Sequence, residues 1–551
     1  MLKCRRYEQY EPGTDMNTPQ PRREVGTFAL MLTGLGSIIG SGWLFGAWRA
    51  AGLAGPDAVW AWVLGAVIIT TIALTYAELG AMFPESGGMV RYSHYSHGTL
   101  VGFLGAWANW IAVVSVIPVE AEASVQYMAS WSYPWAQQLF VHLPGGHGEL
   151  TPPGLGIAAA LVVVYFLLNF WSVKLFARSN TAITLFKMVV PAATAVALIA
   201  SGFHPGNFAV GIHGGVQVTD FAAVLTAVAT AGIVFSFNGF QSPVNLAGEA
   251  HNPARSIPIA VLGSIAIATV IYVLLQVAFL GAVPPEMLAK AGWQGINFRS
   301  PFAELALIVN LHWLAMLLYA DAFVSPSGTG ITYTATTARM IYGMSRNGTL
   351  PNAFARLHPH YRVPRPAMWL NLIVSFLFLF FFRGWSTLAA VISVATIIAY
   401  LTGPVSALAL RRTAQKMHRP LRLKGLPVIA ALAFVFATEL LYWAKWPLTG
   451  EVLLLMLAAL PVYAYYRVKH GGQHLAQELH GAIWLMVYLP AIALLSWAGS
   501  TRFGGHGYLQ WGWDLLIVAA LGLVFFIWGV KSGWDTPASR QAQVDHAAPS
   551  R

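Results

Sequence analysis

Charge is scarce in this chain. Asp, Glu, Lys and Arg make up only 10% of its 551 residues, against 57% hydrophobic, and the mean hydropathy is positive. Soluble domains carry about 25% charged residues, so a water-soluble fold is excluded. Cysteine is almost missing as well. Cys4 stands alone, which rules out an intrachain disulfide and a thiolate metal cluster. His94 and His97 are spaced i,i+3, but no third ligand accompanies them and a zinc site needs three or four. The first 26 residues hold no apolar core of the kind a cleavable leader requires, so none is expected. No nucleophile–base pair or metal-ligand pattern stands out, and enzyme chemistry is not expected.

What the chain has in abundance is long apolar stretches. Fourteen can be read, at 27–48, 57–83, 99–131, 155–172, 180–201, 222–246, 258–280, 306–344, 367–382, 386–410, 426–446, 449–466, 480–499 and 511–530, each long enough for a bilayer core. The expectation is an all-α polytopic membrane protein. The formal charge of +11 is a matter of orientation. With the N-terminus inside, only Arg49, Lys290, Arg299, Arg383, Lys445 and Arg502 fall on the outer side. The remaining basic residues lie inside, which puts both termini in the cytoplasm of a cell (inner) membrane. No nucleic-acid partner is implied, the lipid bilayer is, and nothing sets an oligomeric state. The chain divides into a tail (1–26), a ten-helix block (27–410), a basic loop (411–425), four further helices (426–530) and a second tail (531–551).

The first apolar stretch contains Gly34-Leu35-Gly36-Ser37-Ile38-Ile39-Gly40-Ser41-Gly42. Glycine costs a helix about 1 kcal/mol relative to alanine, so this segment is expected to unwind. Close packing of two helices through small residues is the competing explanation. A second interruption, Phe235-Ser236-Phe237-Asn238-Gly239-Phe240-Gln241-Ser242-Pro243, falls in the sixth stretch. Gly40 recurs as Gly239 and Glu120 as Asp321, both displaced by roughly 200 residues, and five helices separate the breaks. An odd number inverts the second copy, and interrupted helices in matching positions of inverted halves point to a secondary transporter with a midplane site.

These motifs resemble a known family. Gly36-Ser37-Ile38-Ile39-Gly40-Ser41-Gly42, Ser86-Gly87-Gly88 after Glu78, Ala247-Gly248-Glu249 with Asn252-Pro253, and Ala338-Arg339-Met340-Ile341-Tyr342 with Asn347-Gly348 are similar to the signatures of the amino acid–polyamine–organocation permeases. Gly42-Trp43-Leu44-Phe45, the run Arg91 to Gly98 and the run Leu168 to Lys174 most resemble the bacterial aspartate:proton symporters of that family. The resemblance implies a five-plus-five inverted repeat with four added C-terminal helices. It implies proton-coupled uptake of an amino acid, acidic by preference, through alternating access, with the proton as coupling ion and no cofactor. Ser37, Ile38, Gly40, Ser41 and Gly42 would hold the substrate's carboxylate at the positive end of a half-helix. Ser236, Phe237 and Gly239 would face its ammonium and side chain, with Phe237 or Phe240 as an aromatic gate.

Four ionisable residues sit at membrane depth, where such groups face a cavity or a partner. Lys187 matches the helix 5 position at which proton-coupled members of the family carry a lysine in place of a bound cation. A lysine snorkelling to the inner interface is the plain alternative. Glu120 and Glu122 are two residues apart on a helix and point about 200° apart, so only one can face a given site. Asp321, before Ser325 and Ser327, approaches the first break from helix 8. Glu78, Glu249 and Arg339 at inner helix ends read as gate or loop-anchoring charges. The acids set up a tension: ionised, they favour a neutral or cationic substrate, and protonated, they can donate to an acidic one. An exchanger or permease for neutral or cationic amino acids or polyamines is therefore the alternative, with a nutrient sensor or membrane enzyme more remote.

Overall fold

The computed structural model describes residues 25–84, 88–143, 148–171, 174–361, 363–469 and 474–547. Cys4, most of the first tail and Ser86-Gly87 lie outside them. The first stretch is two helices, α1 (Thr27–Ile38) and α2 (Gly42–Ala54), interrupted where the glycines predict and continuing five residues past Arg49. Then come α3 (Ala58–Met82), α4 (Gly88–His97), α5 (Thr99–Val114), α6 (Val116–Met128) and the short α7 (Pro134–Gln137). A two-stranded antiparallel hairpin follows, β1 (Phe140–His142) and β2 (Gly148–Leu150), so the fold is not purely helical. Next are α8 (Pro152–Trp171), α9 (Lys174–Ser201), α10 (Phe221–Thr230), α11 (Ile233–Ser236), α12 (Ser242–Asn245), α13 (Pro253–Ala282), α14 (Pro285–Ala291), α15 (Pro301–Ile308) and α16 (His312–Arg346). The rest comprises α17 (Arg365–Phe381), α18 (Trp385–Tyr400), α19 (Thr402–Thr413), α20 (Leu426–Trp443), α21 (Leu448–Leu457), α22 (Leu460–Lys469), α23 (Leu475–Ala498), α24 (Trp513–Ser532) and α25 (Pro537–Ala547).

Among the described residues, 10 helical stretches are long and apolar enough to cross a membrane, and Thr27–Ile38, Phe221–Thr230 and Arg365–Phe381 are shorter apolar helices. Two of those three are short because the chain breaks beside them. At the first break, Ile39 leaves the helix with φ −84 and ψ 94. At the second, Gly232 takes a left-handed conformation after α10 and α11 lasts four residues before the chain turns. The second interruption thus begins four residues earlier than Ser236.

Two packing groups surround the breaks. α13 packs on α1, α3 and α9, while α16 packs on α6, α8, α9 and α17. α18 lies against α5 and α6. The segment after α3 opens with Pro84 and a pair of glycines, which read as a turn-rich loop, and is instead helix α4, because it has partners on several sides. Ser96 Oγ donates to Ser406 Oγ (2.9 Å), and the Trp534 indole donates to the His97 carbonyl (3.1 Å). Thr536 Oγ1 donates to the Tyr95 carbonyl (2.9 Å) and Thr99 Oγ1 to Glu478 Oε1 (2.9 Å). Burial holds the His97 imidazole down at about 4, so the ring is neutral, and its Nε2–H donates to the Gly529 carbonyl (2.8 Å). The two histidines therefore serve packing in this connector. The last helices and the tail grip one short stretch, residues 95–99.

At the same face Arg411 makes a two-pronged bond to Glu78, Nε to Oε1 at 2.7 Å and Nη2 to Oε2 at 2.6 Å. Glu78 Oε2 also accepts from the Leu423 N–H (2.9 Å). The pair fastens the end of α3 to the end of α19 and to the loop beyond. Its halves are unequal: the Glu78 side chain is 3% exposed and that of Arg411 16%. Removing the cation strands a buried carboxylate, which costs about 3–5 kcal/mol. Removing the anion leaves a long side chain that can turn outward. Arg411→Ala is therefore expected to lower the unfolding midpoint in detergent by more than Glu78→Gln, as thermal denaturation of the two purified variants will measure.

Candidate functional site

The glycines of the first break are needed for close approach. A Cβ at Gly40 would lie 2.5 Å from Glu120 Oε1 and 3.2 Å from Thr329 Oγ1, and one at Gly42 would strike Ser236 Oγ. Gly239 has φ +121, a conformation disfavoured for any side chain. It lies directly on the Ser37–Ile38 peptide, where a Cβ would sit 2.5 Å from the Ser37 carbonyl carbon. The two breaks thus cross at Gly239. The Tyr272 hydroxyl stands at the crossing, 3.2 Å from the Ile38 carbonyl and 3.0 Å from the Ser236 carbonyl. Ser242 Oγ donates to Ser37 Oγ (2.8 Å), which donates back to Thr33 (2.9 Å).

Unwound backbone at membrane depth must find partners elsewhere in the protein. Here α6 supplies one. The Ser41 N–H donates to Glu120 Oε2 at 2.9 Å, and Ser41 Oγ accepts from the Trp385 indole (2.9 Å). Glu120 is fully buried, and its Oε1 has no hydrogen-bond partner among the described residues. Lys187, 2% exposed, donates to the Gly36 carbonyl (3.1 Å) and to Thr329 Oγ1 (2.6 Å). Its amine therefore turns inward to the break instead of snorkelling. Thr329 holds the lysine and, like Glu120, lies beside Gly40. Asp321 lies two turns away on α16, with Oδ1 accepting from Ser325 Oγ (2.6 Å) and Oδ2 without a partner among the described residues. Glu122 is buried, neither of its oxygens has a partner among the described residues, and it does not border the site.

A small cavity remains between the breaks, about 10 Å³ in volume, room for no more than one water. Ser37, Ile38, Gly40, Gly42, Val116, Glu120, Phe235, Asn238, Thr329 and Tyr333 line it. Of the nine expected substrate contacts, Ser37, Ile38, Gly40 and Gly42 line this cavity, and Ser41, Ser236, Phe237, Gly239 and Phe240 do not. Ser41 does not border the cavity, because its N–H and hydroxyl are both taken within the protein. Gly239 is turned to the Ser37–Ile38 backbone. Phe237 packs on Trp62 and Tyr272, and Phe240 on Tyr76 and Tyr400, deep in aromatic clusters. The aromatic rings at the cavity are Phe235 and Tyr333, which sequence reasoning passed over. Asn238 and Thr329 were passed over too. Of the inner-end charges, Glu249 anchors through its backbone, its carbonyl accepting from Val25 N (3.0 Å) at the entry to α1. Arg339 is exposed.

The crossing makes a test. Gly239→Ala adds a side chain to a positive-φ position and drives it into the Ser37 backbone, a strain of about 1–3 kcal/mol before any clash. The variant is expected to unfold at a lower temperature than wild type in detergent. Gly26→Ala, where a Cβ meets nothing within 4 Å, is expected to behave as wild type.

Comparison with known proteins agrees with this architecture. An amino acid permease family model matches residues 25–462. The chain is 56% identical to a glutamate/serine transporter (AimA) of Bacillus subtilis, over 95% of this chain and 96% of that protein. It is 38% identical to an aspartate-proton symporter of the same organism, over 93% and 97%, and 26% identical to its branched-chain amino acid permease BcaP, over 82% and 94%. The chain belongs to the amino acid permeases of the amino acid–polyamine–organocation family, which are polytopic membrane transporters and not enzymes.

Proposed function

We propose that the protein is a proton-coupled symporter that brings small polar and acidic amino acids, glutamate, aspartate and serine, across the cell membrane by alternating access. In this reading α1 to α19 form two inverted five-helix halves, α20 to α24 complete fourteen spans, and both termini are cytoplasmic. The substrates for which the two nearer relatives are named support the substrate class, and the inner-side basic residues support the orientation.

The observation that carries the reading is the hydrogen bond from the Ser41 N–H to Glu120 Oε2. The first N–H groups of α2 are unsatisfied helix donors at the positive end of a dipole, the natural seat for a substrate carboxylate. Glu120 occupies part of that seat. An ionised carboxylate is a much stronger acceptor than a neutral one. A proton on Glu120 therefore loosens its hold on the break, removes a charge that repels an acidic substrate, and leaves donors for the amino acid. Proton and substrate become each other's condition for loading, which is symport. Lys187, bonded to Gly36 and Thr329, holds the near edge of the break with a fixed cation and senses the same proton through Thr329. Asp321 and its Ser325 partner are a second station on α16 for proton movement.

Purified protein in liposomes is expected to accumulate labelled glutamate and serine against a gradient when the outside is acid, and to lose that accumulation with a protonophore. Uptake indifferent to the pH gradient would exclude the coupling. Glu120→Gln, a permanent mimic of the protonated acid, is expected to retain exchange of labelled for unlabelled substrate while losing proton-driven accumulation at least about tenfold. Lys187→Ala is expected to lose both, because the break loses the amine that holds the Gly36 carbonyl.

A further inference from the structure

We propose that the Tyr333 hydroxyl, backed by the Asn238 amide, is the subsite that reads the substrate's side chain, and that it selects a side chain bearing a hydrogen-bond acceptor. The inference rests on the transport reading above.

Tyr333 is 5% exposed, lines the cavity, and its hydroxyl has no hydrogen-bond partner among the described residues. A buried hydroxyl without a partner is costly, and native structures leave few of them. Its position relative to the break is set by α16. Thr329 lies beside Gly40, and Tyr333 is one turn further towards the cytoplasmic end. Helical side chains lean back towards the N-terminus of their helix, so the ring rises from below to the cavity floor. The head of an amino acid held at Gly40 and Gly42 thus leaves its side chain over Tyr333.

Asn238 comes to the same floor from the second break, and its orientation is fixed. Its Oδ1 accepts from Gln241 Nε2 (2.9 Å) and from the Tyr400 hydroxyl (3.3 Å), while its Nδ2 makes only a long bond to Thr396 Oγ1 (3.4 Å). The amide therefore offers N–H and not oxygen. The subsite is two neutral donors without a guanidinium, and the nearby ammonium, Lys187, is already engaged. Neutral donors serve a hydroxyl oxygen and a carboxyl oxygen alike, which gives one pocket for serine and for glutamate. An aliphatic side chain leaves both donors unmet, the kind of mismatch that polar sites reject strongly.

Tyr333→Phe removes the one oxygen and keeps the ring. Because that oxygen bonds to nothing in the protein, the ligand-free variant is expected to unfold at the wild-type temperature or above it. Equilibrium binding of labelled serine to the full-length protein in detergent is expected to weaken at least about fivefold, the loss of one neutral hydrogen bond, and glutamate to follow. A change of less than fivefold overturns the inference and leaves the hydroxyl to a water. Weaker binding together with a lower unfolding temperature also overturns it, since that marks a structural hydroxyl. Wild type is measured first: if it binds neither serine nor glutamate, the transport reading fails on its own account and takes the subsite with it.

Discussion

A single hydrogen bond, from the Ser41 N–H to the Glu120 carboxylate, holds the centre of this molecule. The glycines make the first break easy to open, but an open backbone in hydrocarbon is intolerable unless something answers its N–H groups. A fully buried acid does so. That acid would be equally intolerable without its own partners, and one of its oxygens is still unpartnered. The break and the acid therefore each depend on the other, and the arrangement keeps a proton-sensitive group at the point where the backbone is weakest.

The two breaks are satisfied in different ways. The first takes charged partners, Glu120 on α6 and Lys187 on α9. The second takes neutral ones: Gly239 N–H donates to Gln241 Oε1 (3.0 Å), and Gln241 and Asn238 are both tied to Tyr400. The two breaks are thus alike in having an interrupted backbone and unlike in chemistry. Asp321, about 200 residues after Glu120, differs from it too, because its bond goes to Ser325 four residues on in its own helix and not to the second break. A titratable half and a fixed half meet at Gly239.

Much of this was legible in the sequence where the signal was local. The run Gly34 to Gly42 announced its own weakness, and membrane acids are rare enough to notice singly. Phase was not legible. Phe235 and Phe237 are two residues apart on a helix and face nearly opposite ways, and the left-handed Gly232 that sets which of them meets the cavity is one glycine among 52. Thr329 and Tyr333 were invisible for another reason, since they acquire meaning only by meeting distant residues, Thr329 for example by meeting Lys187 142 positions away. The α4 segment misled because Pro84 and the glycines around it are turn formers, while the partners that make it a helix come from α19, α24 and the tail. No local pattern in α20 to α24 reveals that they close on residues 95–99.

That closure orders events in time. The His97 carbonyl meets the Trp534 indole 437 positions later, and Glu78 meets Arg411 333 positions later. A ribosome adding about 5–20 residues per second leaves the His97 carbonyl waiting roughly 20–90 s for its partner. Throughout that interval the connector α4 is made but lacks the contacts that bury it in the finished protein. The broken helix is made almost first and the connector after α3 is fastened last. A nascent chain cut short at residue 425 would carry every residue that lines the cavity and the Arg411–Glu78 pair, but none of the contacts that Glu478, Gly529, Trp534 and Thr536 make to residues 95–99.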